Sequence, residues 1–127
     1  MAKRIRIGSG AAWEDVVGYS RVVRVGKVVE VSGTVAVENN QVVGLNDPYA
    51  QTKYILSKIG ASLKKVGADI HQVVRTRMFV TDISNWEKIG KAHGEVFKDI
   101  RPATAMVEVR SLISKEFLVE IEATAIM

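Results

Sequence analysis

Residues 21–32 of this 127-residue chain read RVVRVGKVVEVS, and this stretch decides the fold. Two valine-rich runs alternate apolar with polar residues on either side of Gly26 and Lys27. That is the pattern of a β-hairpin with one buried face. Gly33 follows directly and is expected to end the second strand. The fold is therefore expected to be built on an antiparallel pair of strands.

Short strands are also predicted on both sides of the hairpin. Residues 3–7 alternate and predict an edge strand, and Trp13 and Glu14 are expected in the loop that follows it. Residues 35–43 are interrupted by the polar run ENNQ, which predicts a turn between two short strands.

The next segment predicts a long helix. Asn46 and Asp47 offer an N-cap, Pro48 suits the first helical position, and Gly67 is a C-terminal stop. The residues that recur at helical spacing between them are Thr52, Ile55, Leu56, Ile59, Leu63 and Val66.

The second half of the chain predicts a strand, a helix and two more strands. Residues 73–80 form an apolar-rich strand, and a helix follows over about 85–97. Its cap is Asp82 or Ser84, and its inward residues are Trp86, Ile89, Val96 and Phe97. Residues 105–110 and 117–126 alternate as strands. Their carboxylates and the Pro-braced turn at 101–104 predict a pocket at this end of the domain.

The order of these elements predicts the fold class. It indicates an α+β domain over residues 1–127, with a single mixed β-sheet of about six strands and two helices packed on one face. The length suits one domain, and 47% hydrophobic residues suffice for a core. The other face of the sheet carries Val and Ile residues without a cover, which predicts self-association.

Composition excludes several classes of site. The chain has no cysteine, so disulfides, thiolate metal sites and cysteine nucleophiles are excluded. No glycine pattern of a nucleotide-binding loop is present, and His71 and His93 lie in different elements, so neither a cofactor nor a metal is expected.

Charge and hydropathy bear on partners and location. The net charge is +4, but the basic residues are dispersed, so nucleic-acid binding is not expected. No signal peptide or membrane span is seen, and a cytoplasmic location is expected.

Two pairs of charged residues are candidates for chemistry. Glu120 and Glu122 share one face of the last strand, where burial of like charges would raise a pKa as acid–base catalysis requires; two solvated carboxylates are the alternative. Arg75 and Arg77 share a face and would hold an anion, or else be solvated or paired with those glutamates. Tyr19 and Ser32, at the two ends of the hairpin, are candidates for orienting a small ligand.

Taken together, these segments resemble the RidA/YjgF family, the reactive intermediate deaminases, along nearly the whole chain. The resemblance is carried by the order and spacing of Gly18-Tyr19, residues 31–33, Gln51-Thr52, residues 68–82, residues 101–103, residues 107–109 and residues 119–123. It implies the fold described above and a homotrimer whose sheets form a central barrel, with small-molecule clefts between subunits. In the deaminase branch such a cleft binds a 2-imino acid, which water converts to a 2-oxo acid and ammonia.

The resemblance also implies a set of site residues. Tyr19, Ser32 and Glu120 match residues that line the cleft, with Gly33 and Ala103 beside it. The family's carboxylate-binding arginine stands two residues after the proline, where this chain has Thr104. Loss of such a charged hydrogen bond costs on the order of 1.5 to 3 kcal/mol.

Three further positions belong to the implied cleft. Gly90 stands where the family usually has asparagine, and Met106 stands at a polar or cysteine position. Arg101 is expected either to reach the pocket from its rim or to face solvent or a neighbouring subunit.

Three functions remain open on the sequence. The first is an imine or enamine hydrolase in which Glu120 activates water and Thr104 contacts the polar end of the substrate. The second is a non-catalytic module that binds a metabolite in the same cleft. The third, an endoribonuclease or translation inhibitor, follows from names used in the family and has only the basic charge in its support.

Overall fold

The computed structural model of the protein describes residues 3–127. In chain order the elements are β1 (Arg4–Ile7), α1 (Ala12–Val17), β2 (Val22–Val25), β3 (Val28–Thr34), β4 (Val37–Glu38), β5 (Gln41–Val42), α2 (Pro48–Lys64), β6 (Val73–Val80), α3 (Trp86–Phe97), β7 (Ala103–Glu108) and β8 (Val119–Ile126). Six strands form one sheet in the order β1-β2-β3-β8-β6-β7, and β4 pairs with β5 separately. The β6–β7 pair is parallel and the others are antiparallel. The predicted α+β class with one mixed sheet is confirmed.

The central hairpin forms as predicted, but its second strand runs past the expected end. Val22 pairs with Val31 and Val25 with Val28. Gly33 does not end β3, which continues to Thr34 through a β-bulge: Val31 pairs with Ala123 and Thr34 with Ile121. Two residues of β3 therefore lie opposite one residue of β8, which keeps the glycine inside the strand.

The segment around Trp13 is a short helix, α1, and the expectation of a loop was wrong. Glu14 of this helix is buried and accepts hydrogen bonds from the backbone N–H and the hydroxyl of Ser9. The helix ends at Gly18, whose φ of 85° is the left-handed conformation that glycine adopts freely.

Helix α2 supplies much of the core. The Asp47 side chain accepts a hydrogen bond of 3.0 Å from the Ala50 N–H, and Pro48 occupies the first position, as predicted. The fully buried or nearly buried apolar residues of this helix are Ile55, Leu56, Ile59 and Leu63. The helix ends at Lys64, three residues before Gly67.

Helix α3 packs against α2 through a stripe that begins at Ile89 and ends at Phe97, both buried. Trp86 was expected to face inward, but 56% of its surface is exposed. It is the first residue of the helix, one turn before the buried stripe starts. Asp82 caps the short 3-10 turn Ile83–Asn85 that precedes the helix, accepting from the Ser84 N–H at 2.9 Å.

The last two strands are shifted relative to the prediction and do not adjoin each other. β7 begins directly after Pro102 and ends at Glu108, and β8 begins two residues later than expected, at Val119. β6 lies between them. The turn at 101–104 and the carboxylates of β8 are therefore held on opposite sides of β6.

The sheet face turned away from the helices was expected to carry uncovered Val and Ile residues, and in the structure it carries polar and charged residues as well. Val28 and Ile126 are about half exposed there. The same face carries Glu30, which accepts a 2.6 Å hydrogen bond from the Thr124 hydroxyl, and a longer contact between Arg77 Nη1 and Glu122 Oε1 at 3.9 Å. Among the described residues, no helix has the length and apolar character needed to cross a membrane.

Candidate functional site

One open pocket gathers most of the polar groups expected to act on a ligand. Its volume is about 380 Å³, and it lies between α1, the bulge in β3 and the start of β8. We call it the Glu120 pocket, and it is lined by Trp13, Val17, Tyr19, Arg21, Ser32, Gly33, Val35, Ile113, Glu120 and Glu122. Val17 and Ile113 are 70% and 68% exposed.

The β-bulge shapes the floor of this pocket. The Ser32 hydroxyl donates a 2.6 Å hydrogen bond to the Ser20 carbonyl, and the Ser32 N–H donates to the Arg21 carbonyl at 3.0 Å. A methyl group on Gly33 would overlap the carboxylate oxygen Oε2 of Glu120. The absence of a side chain at residue 33 therefore makes the space that the glutamate occupies.

Glu120 has the electrostatic character of an acid–base group. It is partly buried, and burial raises its pKa above the ordinary 4.5; the neighbouring Glu122 raises it further, while Arg21 opposes the shift. The effect of the like charge was expected from the sequence, but desolvation of the Glu120 carboxyl is the larger cause. A carboxyl whose pKa is moved toward neutrality can exchange a proton with a reacting group.

Tyr19 lies at the mouth of the pocket, beside the only arginine among the lining residues. Burial raises the pKa of the Tyr19 hydroxyl, with Arg21 acting in the opposite direction. The guanidinium carbon of Arg21 lies 5.8 Å from the centre of the Tyr19 ring, within the range of a cation–π contact.

Arg21 was not among the residues selected from the sequence. Only 7% of it is exposed, and its Nη2 donates a 2.5 Å hydrogen bond to the Gly33 carbonyl. Burial lowers the pKa of its guanidinium. Arg21 directly precedes β2 and is a polar position in the alternating apolar and polar sequence of the hairpin. Such a position is typical of a solvated side chain, so the sequence did not indicate that Arg21 is buried.

The remaining candidates from the sequence lie outside this pocket. Thr104 is in β7, where it pairs with Thr76 of β6, and Thr76 also pairs with Ala123 of β8. Glu120 is three residues along from Ala123, so the two candidate positions are separated by roughly 14 Å of sheet. Strand alternation also places them on opposite faces.

Four other candidates are also outside the pocket within one chain. Arg101 and Ala103 are exposed at the start of β7, and the Arg101 N–H donates to the Phe97 carbonyl at 2.8 Å. Met106 packs against the core, and Gly90 lies in α3 with no atom near its missing side chain. The structure thus brings together Tyr19, Ser32, Gly33 and Glu120, and it separates them from Gly90, Arg101, Ala103, Thr104 and Met106.

Arg77, His71 and His93 have side-chain partners. The 3.9 Å contact between Arg77 and Glu122 fits the paired interpretation of that arginine. His71 lies against Asp69 on the surface, and His93 is buried with its Nε2 2.9 Å from the Thr76 hydroxyl. Across residues 3–127, no three His, Asp or Glu side chains are grouped as a metal site would require.

Comparison with known proteins places this architecture in a family. The family model described as Endoribonuclease L-PSP matches residues 9–127. An uncharacterized protein of Streptomyces coelicolor is 34% identical over 120 residues, covering 94% of this chain and 90% of the relative. The 3-aminoacrylate deaminase RutC of Acinetobacter baylyi is 32% identical over 108 residues, covering 84% of this chain and 85% of that enzyme.

Solved structures agree with this result. A YjgF-family protein of Mycobacterium tuberculosis is 45% identical, with a TM-score of 0.90, and the match covers 98% of this chain and all of that one. A Rid-family protein of Yersinia pestis is 30% identical with a TM-score of 0.86, over 98% of this chain and 100% of the other. The chain belongs to the endoribonuclease L-PSP family, also known as the RidA/YjgF family.

Proposed function

We propose that the protein hydrolyses the carbon–nitrogen bond of a small imine or enamine in the Glu120 pocket. The observation that carries the proposal is the partly buried Glu120 with its raised pKa, held against Gly33 in a pocket that also presents Tyr19 and Ser32. The similarity to a 3-aminoacrylate deaminase supports the same class of reaction.

The chemistry requires one group that can take and return a proton. The substrate is the protonated imine. Glu120 in its ionised form accepts a proton from a water molecule as the water oxygen bonds to the imine carbon, which gives a neutral carbinolamine. The same carboxyl then delivers that proton to the nitrogen; as the carbon–nitrogen bond breaks, the carbinolamine hydroxyl gives its proton to the carboxylate and becomes the carbonyl oxygen. The released ammonia takes this proton from Glu120 and leaves as ammonium, which restores the ionised carboxylate. An enamine first takes a proton on carbon to become the protonated imine.

Tyr19 and Ser32 orient the substrate in this proposal. The Ser32 hydroxyl already donates to the Ser20 carbonyl, so its oxygen is available to accept a hydrogen bond from the substrate N–H. The Tyr19 hydroxyl has an ordinary pKa of 10.0, which burial raises further, so at neutral pH it keeps its proton and is available as a donor.

A homotrimer would complete the site. The exposed Val17 and Ile113 at the pocket are apolar surface that a second copy would cover. In that arrangement Thr104, with the backbone of Ala103, approaches the ligand from a neighbouring copy, and Gly90, Arg101 and Met106 belong to the same neighbouring edge. The assembly, these roles and the cytoplasmic location remain predictions.

The test is the decay of 2-iminopropionate and bulkier imino acids, generated in situ by an amino-acid oxidase, with and without the protein. We expect the protein to accelerate decay and Glu120→Gln to abolish the acceleration while leaving the particle mass unchanged. Glu87→Gln, which removes an exposed carboxylate of α3, is the matched control and should retain full activity. Equal rates for the natural protein and Glu120→Gln would remove Glu120 from the mechanism.

A second candidate function is metabolite binding without catalysis, and Thr104 at the position of the family's arginine favours it. It predicts a thermal shift that grows with ligand concentration while no product forms. A Thr104→Arg variant separates the two functions. Activity in the variant alone would indicate an intact hydrolytic pocket whose natural ligand is bound and released unchanged.

The name of the matching family model raises a third function, RNA cleavage. The net charge of +4 is its only support in this chain. Salt-sensitive cleavage of RNA that co-purifies with the protein through several columns would be needed to support it.

A further inference from the structure

Arg21 has fewer partners than a buried arginine requires. A guanidinium carries five N–H donors, and within residues 3–127 this one makes a single hydrogen bond, from Nη2 to the Gly33 carbonyl. Its Nε is fully buried and has no hydrogen-bond partner among the described residues. No carboxylate in the described part of the chain lies within 4.0 Å of it. Burying a cation without a countercharge is costly, so this position is one that an anion would stabilise.

None of the neighbouring carboxylates forms an ion pair with the Arg21 guanidinium. Glu14 is engaged by the backbone N–H and hydroxyl of Ser9. Glu120 is near enough to influence the arginine electrostatically, but its carboxylate oxygens lie more than 4.0 Å from the guanidinium nitrogens. Glu122 makes its contact with Arg77 instead.

The position of Arg21 is also fixed in advance of any ligand. The Gly33 carbonyl holds one end of the guanidinium, and the Tyr19 ring lies 5.8 Å from its centre. Both anchoring residues line the same pocket as Glu120. A cation that is already oriented loses less entropy on binding an anion than a mobile surface side chain does.

We infer that Arg21 is the anion-binding residue of the Glu120 pocket, and that the ligand is a small carboxylic acid whose carboxylate accepts hydrogen bonds from its guanidinium. The inference deepens the proposed function and rests on it for turnover, because it places the carboxylate at Arg21 and the carbon–nitrogen bond at Glu120. In this inference the cation that the family supplies from β7, where this chain has Thr104, is supplied by the residue before β2. Arg101, the arginine that the sequence suggested, is not needed for this contact.

The test compares acids with their neutral esters. The probes are pyruvate, 2-oxobutanoate and 4-methyl-2-oxopentanoate, each against its methyl ester, titrated by calorimetry into the natural protein, Arg21→Gln, Arg21→Lys and the charge-matched control Arg4→Gln. Arg4 is exposed in β1 and does not line the pocket. We expect the natural protein and Arg4→Gln to bind at least one acid about tenfold or more tightly than its ester, as loss of a charged hydrogen bond predicts.

The arginine variants separate charge from shape. Arg21→Gln should bind acid and ester equally, and Arg21→Lys should retain part of the preference. Circular dichroism and thermal melting check that each variant is folded; if Arg21→Gln does not fold, the acid-to-ester ratios of the natural protein and Arg21→Lys decide. The inference is overturned if the natural protein binds no acid of the panel, if it binds acids and esters alike, or if a folded Arg21→Gln keeps the acid preference.

A further variant separates this inference from the proposed function. Glu120→Gln should lose turnover and still bind the acid in preference to its ester. Acid binding that depends on Arg21 without turnover by the natural protein would leave the inference standing and refute hydrolysis. Where turnover is seen, Arg21→Gln should raise the KM for an imino acid with little change in kcat, while Glu120→Gln should lower kcat. A lower kcat with an unchanged KM in Arg21→Gln would assign Arg21 to the chemistry rather than to binding.

Discussion

The hydroxyl oxygen of Thr104 lies 2.7 Å from the hydroxyl oxygen of Thr76 on the neighbouring strand. Thr76 is fully buried, and its hydroxyl is also 2.9 Å from Nε2 of the buried His93. The hydroxyl of Thr104 donates in addition to the Thr76 carbonyl at 3.1 Å. A chain of hydrogen bonds thus connects the interior, between α3 and the sheet, with the exposed edge strand β7.

These hydrogen bonds predict different effects for two threonine-to-valine substitutions, each of which keeps the shape of the side chain. Thr76→Val removes the partner of a buried imidazole nitrogen and should lower the free energy of unfolding by about 1 to 3 kcal/mol. Thr104→Val removes a hydroxyl at the exposed end and should lower it by less. Urea denaturation of both variants is the measurement. A larger loss of unfolding free energy for Thr104→Val than for Thr76→Val would contradict this prediction, because the exposed hydroxyl would then contribute more to stability than the buried one.

His93 predicts a loss of stability on mild acidification. Burial lowers its pKa below the ordinary 6.5, so the unfolded state binds the proton more readily. The stability that neutral His93 provides is therefore present above about pH 6.5 and is lost as the pH falls below it. Urea titrations at pH 7.5 and 5.5 should show a smaller difference between the two pH values for His93→Gln than for the natural protein. An equal difference would assign the acid sensitivity to other groups.

Glu120→Gln should stabilise the fold at neutral pH while it removes activity. The pKa of Glu120 is raised above 4.5, so its contribution favours the folded state below that pH and is lost as the pH rises through the raised value. At pH 7 the neutral amide avoids this penalty, and we expect a small increase in the melting temperature. The comparison at pH 4 should show little difference. A decrease at pH 7 would mean that attraction to Arg21 outweighs the desolvation of the carboxylate.

Gly33→Ala should inactivate the protein by moving Glu120. The added methyl group overlaps the carboxylate, so either the side chain of Glu120 or the bulge must shift, at a cost of about 1 to 3 kcal/mol. Gly60→Ala in α2 is the matched control, because among residues 3–127 no atom other than its chain neighbours and its own helix backbone lies within 4 Å of the added methyl. It should be neutral or slightly stabilising, since alanine is the better helix former. Full activity of Gly33→Ala would show that the position of Glu120 is not critical.

The strands and the two long helices could be predicted from the sequence because their patterns depend on local spacing. Val73–Val80 was predicted with its observed bounds, and Asp47 and Pro48 start α2 as expected. Trp13 was misplaced because a six-residue helix anchored by Glu14 and Ser9 has too few turns to show periodicity. The long helices and the strands could be predicted from the spacing of apolar residues, whereas the short helix α1 could not.

The site was predictable only in part. Tyr19, Ser32 and Glu120 come together because the hairpin and β8 are neighbours in the sheet, which the strand patterns allow. Thr104 was expected near them, but β6 inserts between β7 and β8, and strand order is not written in any local pattern. Arg21 was missed for the same reason: its burial depends on α1 and the bulge, neither of which was foreseen.

The Glu120 pocket lies at an irregularity of the sheet, the bulge at Ser32 and Gly33. Val31 and Thr34 both point into the interior, which two residues three apart on a regular strand could not do. If one residue between them were deleted, Val31 and Thr34 would be two residues apart, so both side chains would still point into the interior. The strand would then pair with β8 without a bulge. Such a deletion would remove the bulge that makes room for Glu120 beside Gly33. In this chain the Glu120 pocket depends on a one-residue difference in length between two neighbouring strands.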